Sequence, residues 1–498
     1  MSLGAAIRSG AKWLALGKLG NRLLEFAFGV ALARLLMPAD FGMVATIAVF
    51  TGFVGMFTAG GMGQSLIRAK EANEEDFTAV FTLQLAMGVV VYLGFFFAAP
   101  IIADYFDNPI YTELVRVSAL TFLLRPFYVM RNAWLTRRMD FKSRTKVSVA
   151  SGVITGVLAT SLAWLGFGVW SLILSGLVTS LLQNVWLARL VPIRMRLNPD
   201  TTIMRRHTSF GAKIVANDFL TYLRAEGKTL LLSKLAGPAT VGLFNKAESL
   251  ARLPNQLIMQ PVMEPFFRAL SKTQDDIAET RRLYYRAITL LTAYTAPLYV
   301  ILWWVAEPFI RVVYGEKWVD AAVAMQVLTV MGVFLNVMLP SSVLLAAQNR
   351  LGREMLAQGL NLPLVLGACW LGWLQAGLAG AAWGYLLAQV LMTLHFYWYA
   401  EQTIAGRLSE LLDALKPGVT LATLVGLVLF FVDHFIHPWQ QALSPLYLAV
   451  MGGAGLLVFA TLFLTLPLPA LRSEAEGWRL RLAGMYQFMK PALPRGRR

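Results

Sequence analysis

The sequence predicts an all-α integral membrane protein with about 14 transmembrane helices, and three observations lead to this class. Hydrophobic residues make up 57% of the 498 residues and charged residues only 14%, where soluble proteins carry about 25% charged residues. The mean hydropathy is +0.59. Long runs without Asp, Glu, Lys or Arg reach the roughly 20 residues that one helix needs to cross a bilayer. A soluble globule and a disordered chain are therefore both excluded.

Runs with no charged residue, or with Asp433 as the single one, predict ten of these helices. Residues 147–188 and 355–400 are each long enough for two helices, with turns expected at residues 166–168 and 375–377 because both contain glycine. Residues 417–471 hold two more. The single helices are expected at 41–67, 77–103, 287–306 and 321–349.

Four further segments have a helical pattern but carry charges. They are residues 12–36, 113–134, 208–235 and 241–266. Counting all four gives 14 helices, and the count falls to 12 or 13 if one segment lies flat in the membrane interface.

The basic residues predict the orientation of the chain. When the predicted connections are assigned alternately to two sides, one side holds only Arg34, Lys234, Arg311 and Lys317. The other side, with both termini, holds most of the remaining Lys and Arg. Since cytoplasmic loops carry the excess of Lys and Arg, both termini are expected in the cytoplasm. The net charge of +16 then follows mainly from topology, and no nucleic-acid partner is expected.

Several classes of function are disfavoured by the residue inventory. Cys369 is the single cysteine, which excludes an intrachain disulfide and a CxxC site. The four histidines are too scattered for a zinc motif, and no Walker A sequence is present. No outer loop is long enough for an external catalytic domain. We therefore expect no enzyme, no metal and no cofactor.

An internal repeat points to a transporter. Residues 34–42 and 234–242 share the pattern basic-Leu-x-x-Pro-Ala-x-x-Gly at a spacing of 200 residues. Turn chemistry alone could account for the Pro and Gly, but the two turns occupy equivalent places in two six-helix halves. We predict an N-terminal lobe (1–200), a C-terminal lobe (201–412), two extra helices (413–470) and a basic cytoplasmic tail (471–498). Such repeats are typical of transporters with a central site between the halves.

Three stretches carry a resemblance to a known family. Residues 32–42 read Leu-Ala-Arg-Leu-Leu-Met-Pro-Ala-Asp-Phe-Gly, residues 138–142 read Arg-Met-Asp-Phe-Lys, and residues 242–247 read Gly-Leu-Phe-Asn-Lys-Ala. Together they resemble the polysaccharide transporters, which are the repeat-unit flippases of the multidrug/oligosaccharidyl-lipid/polysaccharide exporter superfamily. The second stretch is similar to the colanic-acid-exporter branch. The resemblance covers roughly residues 5–420.

The resemblance implies a fold and a function. The fold would be two six-helix bundles forming an inverted V in the cytoplasmic (inner) membrane, plus two C-terminal helices. The cargo would be an oligosaccharide on undecaprenyl pyrophosphate, moved by alternating access for exopolysaccharide or O-antigen synthesis. Partners would be membrane lipids and, further along the same synthesis, a polysaccharide polymerase and co-polymerase.

Charges inside predicted spans mark the candidate substrate site. A charge at the bilayer centre costs at least about 2.5–3.5 kcal/mol on insertion scales. Polar faces on the charged segments predict a cationic cavity that binds the pyrophosphate, because Arg can grip such an anion with two hydrogen bonds. The predicted cavity residues are Arg22, Arg224, Lys228, Arg252 and Asn255.

Four carboxylates in the same segments are candidates for ion coupling: Glu25, Asp218, Glu226 and Glu248. Closed ion pairs, Glu25 with Arg22 and Glu248 with Arg252, are an open alternative. Two other functions also stay open. A cation-coupled multidrug exporter of the same superfamily should have an acidic cavity, and a polytopic glycosyltransferase or ligase should have a larger outer loop.

Overall fold

The computed structural model describes residues 3–59, 62–69, 72–193 and 195–489. Within these ranges the chain is almost entirely helical. The first nine helices are α1 (Leu3–Leu35), α2 (Pro38–Ala59), α3 (Met62–Arg68), α4 (Glu74–Tyr105), α5 (Ile110–Ala119), α6 (Thr121–Arg137), α7 (Phe141–Trp164), α8 (Trp170–Leu190) and α9 (Thr201–Ala251). The remaining helices are α10 (Leu253–Lys272), α11 (Ile277–Trp304), α12 (Ala306–Val313), α13 (Ala321–Ala347), α14 (Leu351–Ile404), α15 (Leu408–Ile436), α16 (Trp439–Ala442), α17 (Ser444–Thr465) and α18 (Arg472–Met489).

The helical membrane class is confirmed. Nine helices in the described ranges are long and apolar enough to cross a membrane. One of them, Gly352–Ile404, is 53 residues long and bends at Ala376 and Gly377, where the backbone leaves helical geometry. The turn predicted at residues 375–377 is therefore confirmed, and this stretch is two helices. The total of 14 stays a prediction.

Glycines mark the other predicted turns. Gly166 and Gly168 both have positive φ between α7 and α8, which glycine adopts without steric cost. Gly237, with φ of 76°, interrupts α9 just before Pro238. The repeat motif at 234–242 is therefore a sharp turn between two helical segments.

Contacts divide the chain into two compact units. Unit 1 comprises Met1–Asn245 with Val313–Trp318, and unit 2 comprises Lys246–Val312 with Val319–Arg498. The predicted lobe boundary at residue 200 stays a prediction.

In unit 1, aromatic packing and glycine contacts hold the helices together. The rings of Phe95 (α4) and Phe122 (α6) are stacked with centroids 5.7 Å apart. Gly88 lies directly against the backbone of Phe122, and the ring of Phe28 (α1) occupies the space beside Gly156 (α7). Any side chain at these two glycines would collide, so they permit the close approach of neighbouring helices.

The 313–318 segment packs on the first repeat turn of unit 1. The indole Nε1 of Trp318 donates to the carbonyl of Ala33 at 2.7 Å, and Lys317 Nζ donates to the carbonyl of Arg34 at 2.8 Å. In return, Arg34 Nε donates to the carbonyl of Val313 at 3.0 Å. These bonds use carbonyls at the end of α1 that have no partner within the helix.

In unit 2, α11 packs against α13 and α15, and α13 packs against α14. Gly332 of α13 accommodates the ring of Tyr299, and Gly418 of α15 lies against Thr292. The two halves of α14 meet backbone to backbone, because Gly372 and Gly380 each lie against the carbonyl of the other. Glycines therefore permit the close approach of helices here, as is common where membrane helices pack closely.

Candidate functional site

The first predicted site residues lie on α1 in unit 1. Arg22 and Glu25 are one turn apart, and both side chains are exposed. Arg22 Nη1 and Glu25 Oε2 are 3.9 Å apart, at the outer limit of an ion pair. Since both groups are accessible, this contact leaves the guanidinium able to bind another anion.

The second group lies on α9. Lys228 is buried, and its ammonium donates to the carbonyl of Ala225. Glu226 is half-buried. Asp218 and Arg224 also fall on α9, but their side chains lie outside the described residues.

The third group is a connected cluster in unit 2, which we call the Arg252 cluster: Glu248, Arg252, Asn255, Tyr299 and Tyr385. Arg252 Nη2 is 2.7 Å from Glu248 Oε1 and donates to the Tyr385 hydroxyl at 3.0 Å. The Tyr385 hydroxyl donates to the same Glu248 oxygen at 3.3 Å. The guanidinium, the carboxylate and the phenol therefore form a closed triangle.

The Arg252 cluster also contains polar atoms without partners. Among the described residues, Arg252 Nε and both side-chain amide atoms of Asn255 are buried and make no hydrogen bond. The Tyr299 hydroxyl lies close to the Asn255 backbone but does not reach hydrogen-bonding geometry with it. A buried unsatisfied polar group costs about 1–3 kcal/mol. Several together leave the cluster with unused hydrogen-bonding capacity that suits water or a polar ligand.

A polar pocket lies elsewhere, between α6 and α8 of unit 1, and we call it the α6–α8 pocket. It has a volume of about 160 Å³. Six of its seven lining residues are polar: Thr121, Arg125, Tyr128, Ser180, Gln183 and Asn184.

None of these six residues was among the predicted site residues. Arg125 precedes Pro126, so the sequence pattern is equally typical of a helix kink. The spacing of Ser180, Gln183 and Asn184 on one face of an apolar helix is the signal that could have found the pocket.

No group of three or more His, Cys, Asp or Glu side chains in the described ranges could hold a metal ion. The Arg252 cluster and the α6–α8 pocket instead offer guanidinium, amide and hydroxyl groups. Such groups bind anions and hydroxylated molecules through charge-assisted and neutral hydrogen bonds.

A family of polysaccharide biosynthesis proteins matches residues 31–323, which is more than half of the chain. The chain belongs to this family. The match includes the repeat turn at 34–42 and extends through the Arg252 region, so the predicted resemblance to polysaccharide transporters is confirmed.

Two curated relatives also have polysaccharide biosynthesis names. The lipopolysaccharide biosynthesis protein WzxC of Escherichia coli (strain K12) is 26% identical over 413 residues, covering 82% of this chain and 83% of that protein. The teichuronic acid biosynthesis protein TuaB of Bacillus subtilis (strain 168) is 24% identical over 463 residues, covering 91% and 94%. Both alignments span most of each chain.

Solved structures share the fold. The lipid II flippase MurJ in an inward closed conformation matches with a TM-score of 0.69 and 14% identity, covering 90% of this chain and 98% of MurJ. An inward-facing multidrug resistance MATE transporter of the MOP superfamily matches with a TM-score of 0.62 and 15% identity, covering 77% and 94%. The protein is therefore a multi-pass membrane protein with a transporter fold.

Proposed function

We propose that this protein is a flippase that moves undecaprenyl-pyrophosphate-linked oligosaccharide repeat units across the cytoplasmic membrane, for the synthesis of a surface polysaccharide. The family membership and the fold shared with a lipid flippase support this proposal. The observation that carries it is the Arg252 cluster. There, a guanidinium nitrogen and the Asn255 amide keep unused hydrogen-bonding capacity inside an apolar protein.

The pyrophosphate would be bound by Arg22, Arg224 and Arg252, with Asn255 as a neutral hydrogen-bonding partner. Lys228 is buried, so it would contribute positive potential rather than a direct contact. Residues 1–200 and 201–412 would alternate between inward-open and outward-open states while the polyprenyl tail stays in lipid. Residues 413–470 would form a groove for that tail. This arrangement keeps the anion hydrated or paired throughout its passage, which lowers its cost in the membrane.

Coupling to an ion would use one of the carboxylates Glu25, Asp218, Glu226 or Glu248. Glu248 has the best-defined contacts, because Arg252 and Tyr385 both donate to one of its oxygens. An anionic ligand that draws Arg252 away would leave Glu248 without its counter-charge and available to a coupling cation. Both termini would lie in the cytoplasm, and a polymerase and co-polymerase would receive the product.

Deleting the gene in its host tests this function. We expect the surface or secreted polysaccharide to disappear while lipid-linked repeat units accumulate on the cytoplasmic side. Mass spectrometry of extracted lipids measures the accumulation, and restoration by the wild-type gene is the control. If polysaccharide is unchanged and the strain becomes sensitive to cationic drugs, the flippase proposal is wrong and the exporter alternative is supported.

A further inference from the structure

The α6–α8 pocket lies beside the middle of α8. Ser180 is halfway along α8, which begins at Trp170 and ends at Leu190. At 1.5 Å per residue, Ser180 is about 15 Å from either end of the helix, close to the middle of a hydrocarbon core about 30 Å thick. Polar side chains at this depth are expensive unless they have partners or a function.

Arg125 is the charged group of this pocket. This residue is exposed and lines the pocket. Gly55 of α2 makes room for it, since any side chain at that position would collide with the guanidinium. Among the described residues, no hydrogen-bond acceptor or carboxylate pairs with Arg125. Within the described part of the chain, the pocket therefore has a positive charge with no carboxylate beside it.

Asn184 supplies the complementary acceptor. Its Nδ2 donates to the carbonyls of Leu124 at 3.1 Å and Ser180 at 2.9 Å. These two bonds fix the amide orientation, because the flipped amide would place its oxygen against two carbonyl oxygens. The Asn184 Oδ1 is buried and accepts no hydrogen bond from the described residues. A ligand hydroxyl can donate to it.

Two hydroxyls extend this acceptor surface. Ser180 Oγ donates to the carbonyl of Gly176 at 3.0 Å, and Thr121 Oγ1 donates to the carbonyl of Ser118 at 2.7 Å. Since each proton is used on a main-chain carbonyl, of α8 for Ser180 and of α5 for Thr121, both oxygens remain available as acceptors. One cation beside three acceptors suits a molecule that is both anionic and hydroxylated.

The volume limits the ligand to one ring. A cavity of about 150 Å³ holds benzene, whereas sites for drug-sized molecules occupy about 300–1,000 Å³. The pocket, at about 160 Å³, therefore fits a single monosaccharide ring with part of it outside.

We propose that the α6–α8 pocket is a sugar subsite, in which Arg125 binds the carboxylate of one acidic monosaccharide and Asn184 accepts a hydrogen bond from one of its hydroxyls. This inference rests on the proposed function and names one sugar class of the cargo. A pyrophosphate diester is the other possible source of an anion. It carries no hydroxyl donors for Asn184, Ser180 or Thr121, whereas an acidic sugar offers its carboxylate to Arg125 and its hydroxyls to these acceptors.

The experiment uses the purified full chain in lipid nanodiscs and saturation-transfer difference NMR, which detects weak sugar binding. The probes are glucuronate, its neutral methyl ester, glucose and inorganic pyrophosphate. We expect saturation transfer to glucuronate, and a loss of at least about tenfold in affinity for glucose and for the ester, since a charge-assisted hydrogen bond is lost. Pyrophosphate should not displace glucuronate.

Three variants assign the binding to the pocket. Arg125→Gln and Asn184→Leu should each lower glucuronate binding, and Asn184→Leu leaves every charge in place, so it remains informative if Arg125→Gln folds poorly. The matched control is Arg138→Gln. Arg138 follows the last residue of α6 and lies over the ring of Trp134, 4.3 Å from its centroid. This control should bind glucuronate as the wild type does.

Several outcomes would overturn the subsite. These are equal binding of glucose and glucuronate, displacement of glucuronate by pyrophosphate, and unchanged binding in a folded Asn184→Leu variant. The deletion strain tests the proposed flippase function independently of the subsite. If its polysaccharide is unchanged, the flippase function itself is wrong. Loss of polysaccharide in that strain together with unchanged glucuronate binding in the pocket variants would reject the subsite alone.

Discussion

The α-carbon of Gly42 lies directly against the carbonyl oxygen of Pro238, and the same relationship holds in reverse between Gly242 and Pro38. A Cβ on either glycine would overlap the facing oxygen. The two repeat turns, 200 residues apart in sequence, therefore pack on each other through equivalent atoms in unit 1. Contacts of this kind favour weak Cα–H···O=C hydrogen bonds, which need close backbone approach.

Replacing either glycine should therefore destabilise the protein. We expect Gly42→Ala and Gly242→Ala each to lower the free energy of unfolding by about 1–3 kcal/mol, the range for overpacking a tight site. The measurement is thermal unfolding of purified protein in detergent. Gly94→Ala is the matched control, because nothing lies within 4 Å of a Cβ at that helical position. Equal melting temperatures for all three variants would contradict the close contact.

The sequence predicted both turns but not their contact. Proline, alanine and glycine at matched positions indicate two similar turns, and glycine within a long charge-free run indicates the turns at 166–168 and 375–377. Whether two turns touch depends on how distant helices pack, which local pattern does not encode. Glycine at positions 42 and 242 was explicable as turn chemistry, and only the structure shows that each faces a carbonyl oxygen.

The candidate sites show the same limit. The i, i+4 spacing of Glu248 and Arg252 made an ion pair one of two open interpretations, and the structure shows the two groups 2.7 Å apart. Tyr385, which completes the triangle, is 133 residues further along the chain than Arg252. The α6–α8 pocket was missed because Arg125 and Asn184 lie on different helices, and they form a pocket only when α6 packs against α8.

The predicted topology can be tested by labelling single cysteines in a Cys369→Ala background. Met37 lies beside the first repeat turn and Met139 lies between α6 and α7, and their side chains are 56% and 44% exposed. Met37→Cys should react with a membrane-impermeant maleimide in intact cells, whereas Met139→Cys should react only after the membrane is opened. Labelling of both positions from outside would show that the orientation derived from the basic residues is wrong.

Asp76 should be important for stability because it joins the start of α4 to α9 in unit 1. Its carboxylate contacts Arg206 and lies 3.4 Å from His207 Nε2, and it also accepts the backbone N–H of Asn73 at 3.0 Å. Asp76 and His207 are both buried. We expect Asp76→Asn to lower the free energy of unfolding by about 1.5–3 kcal/mol, the range for hydrogen bonds to a charged group.

The control for Asp76 is a carboxylate in an exposed pair. Asp413 Oδ1 is 2.6 Å from Lys416 Nζ, and both side chains are largely exposed. Such pairs contribute about 0–1 kcal/mol, so Asp413→Asn should leave the melting temperature almost unchanged. If both variants melt at the same temperature, the buried cluster has no special role in stability.

The Arg252 cluster gives the sharpest test of the proposed mechanism, because binding and structural roles predict different results. If Arg252 binds the pyrophosphate, Arg252→Ala should abolish polysaccharide export while the membrane abundance of the protein stays normal. Arg252→Lys should restore export only in part, since lysine supplies the charge but not the planar fork of donors. Arg252→Glu should be worse than Arg252→Ala because it adds repulsion. Arg224→Ala should behave like Arg252→Ala.

A purely structural ion pair predicts the opposite pattern. Arg252→Ala would then leave the Glu248 carboxylate buried without its partner. That costs about 3–5 kcal/mol for a fully buried pair, and less here because the Arg252 side chain is 37% exposed. Abundance would fall, and adding Glu248→Ala should restore it.

The matched control is Tyr385→Phe. It removes one hydrogen bond to Arg252 and one to Glu248, and it leaves both charges paired. It should therefore weaken the ion pair only mildly under either role. Immunoblotting of membranes together with polysaccharide assays separates the two roles, and normal export by both Arg224→Ala and Arg252→Ala would reject the cationic site.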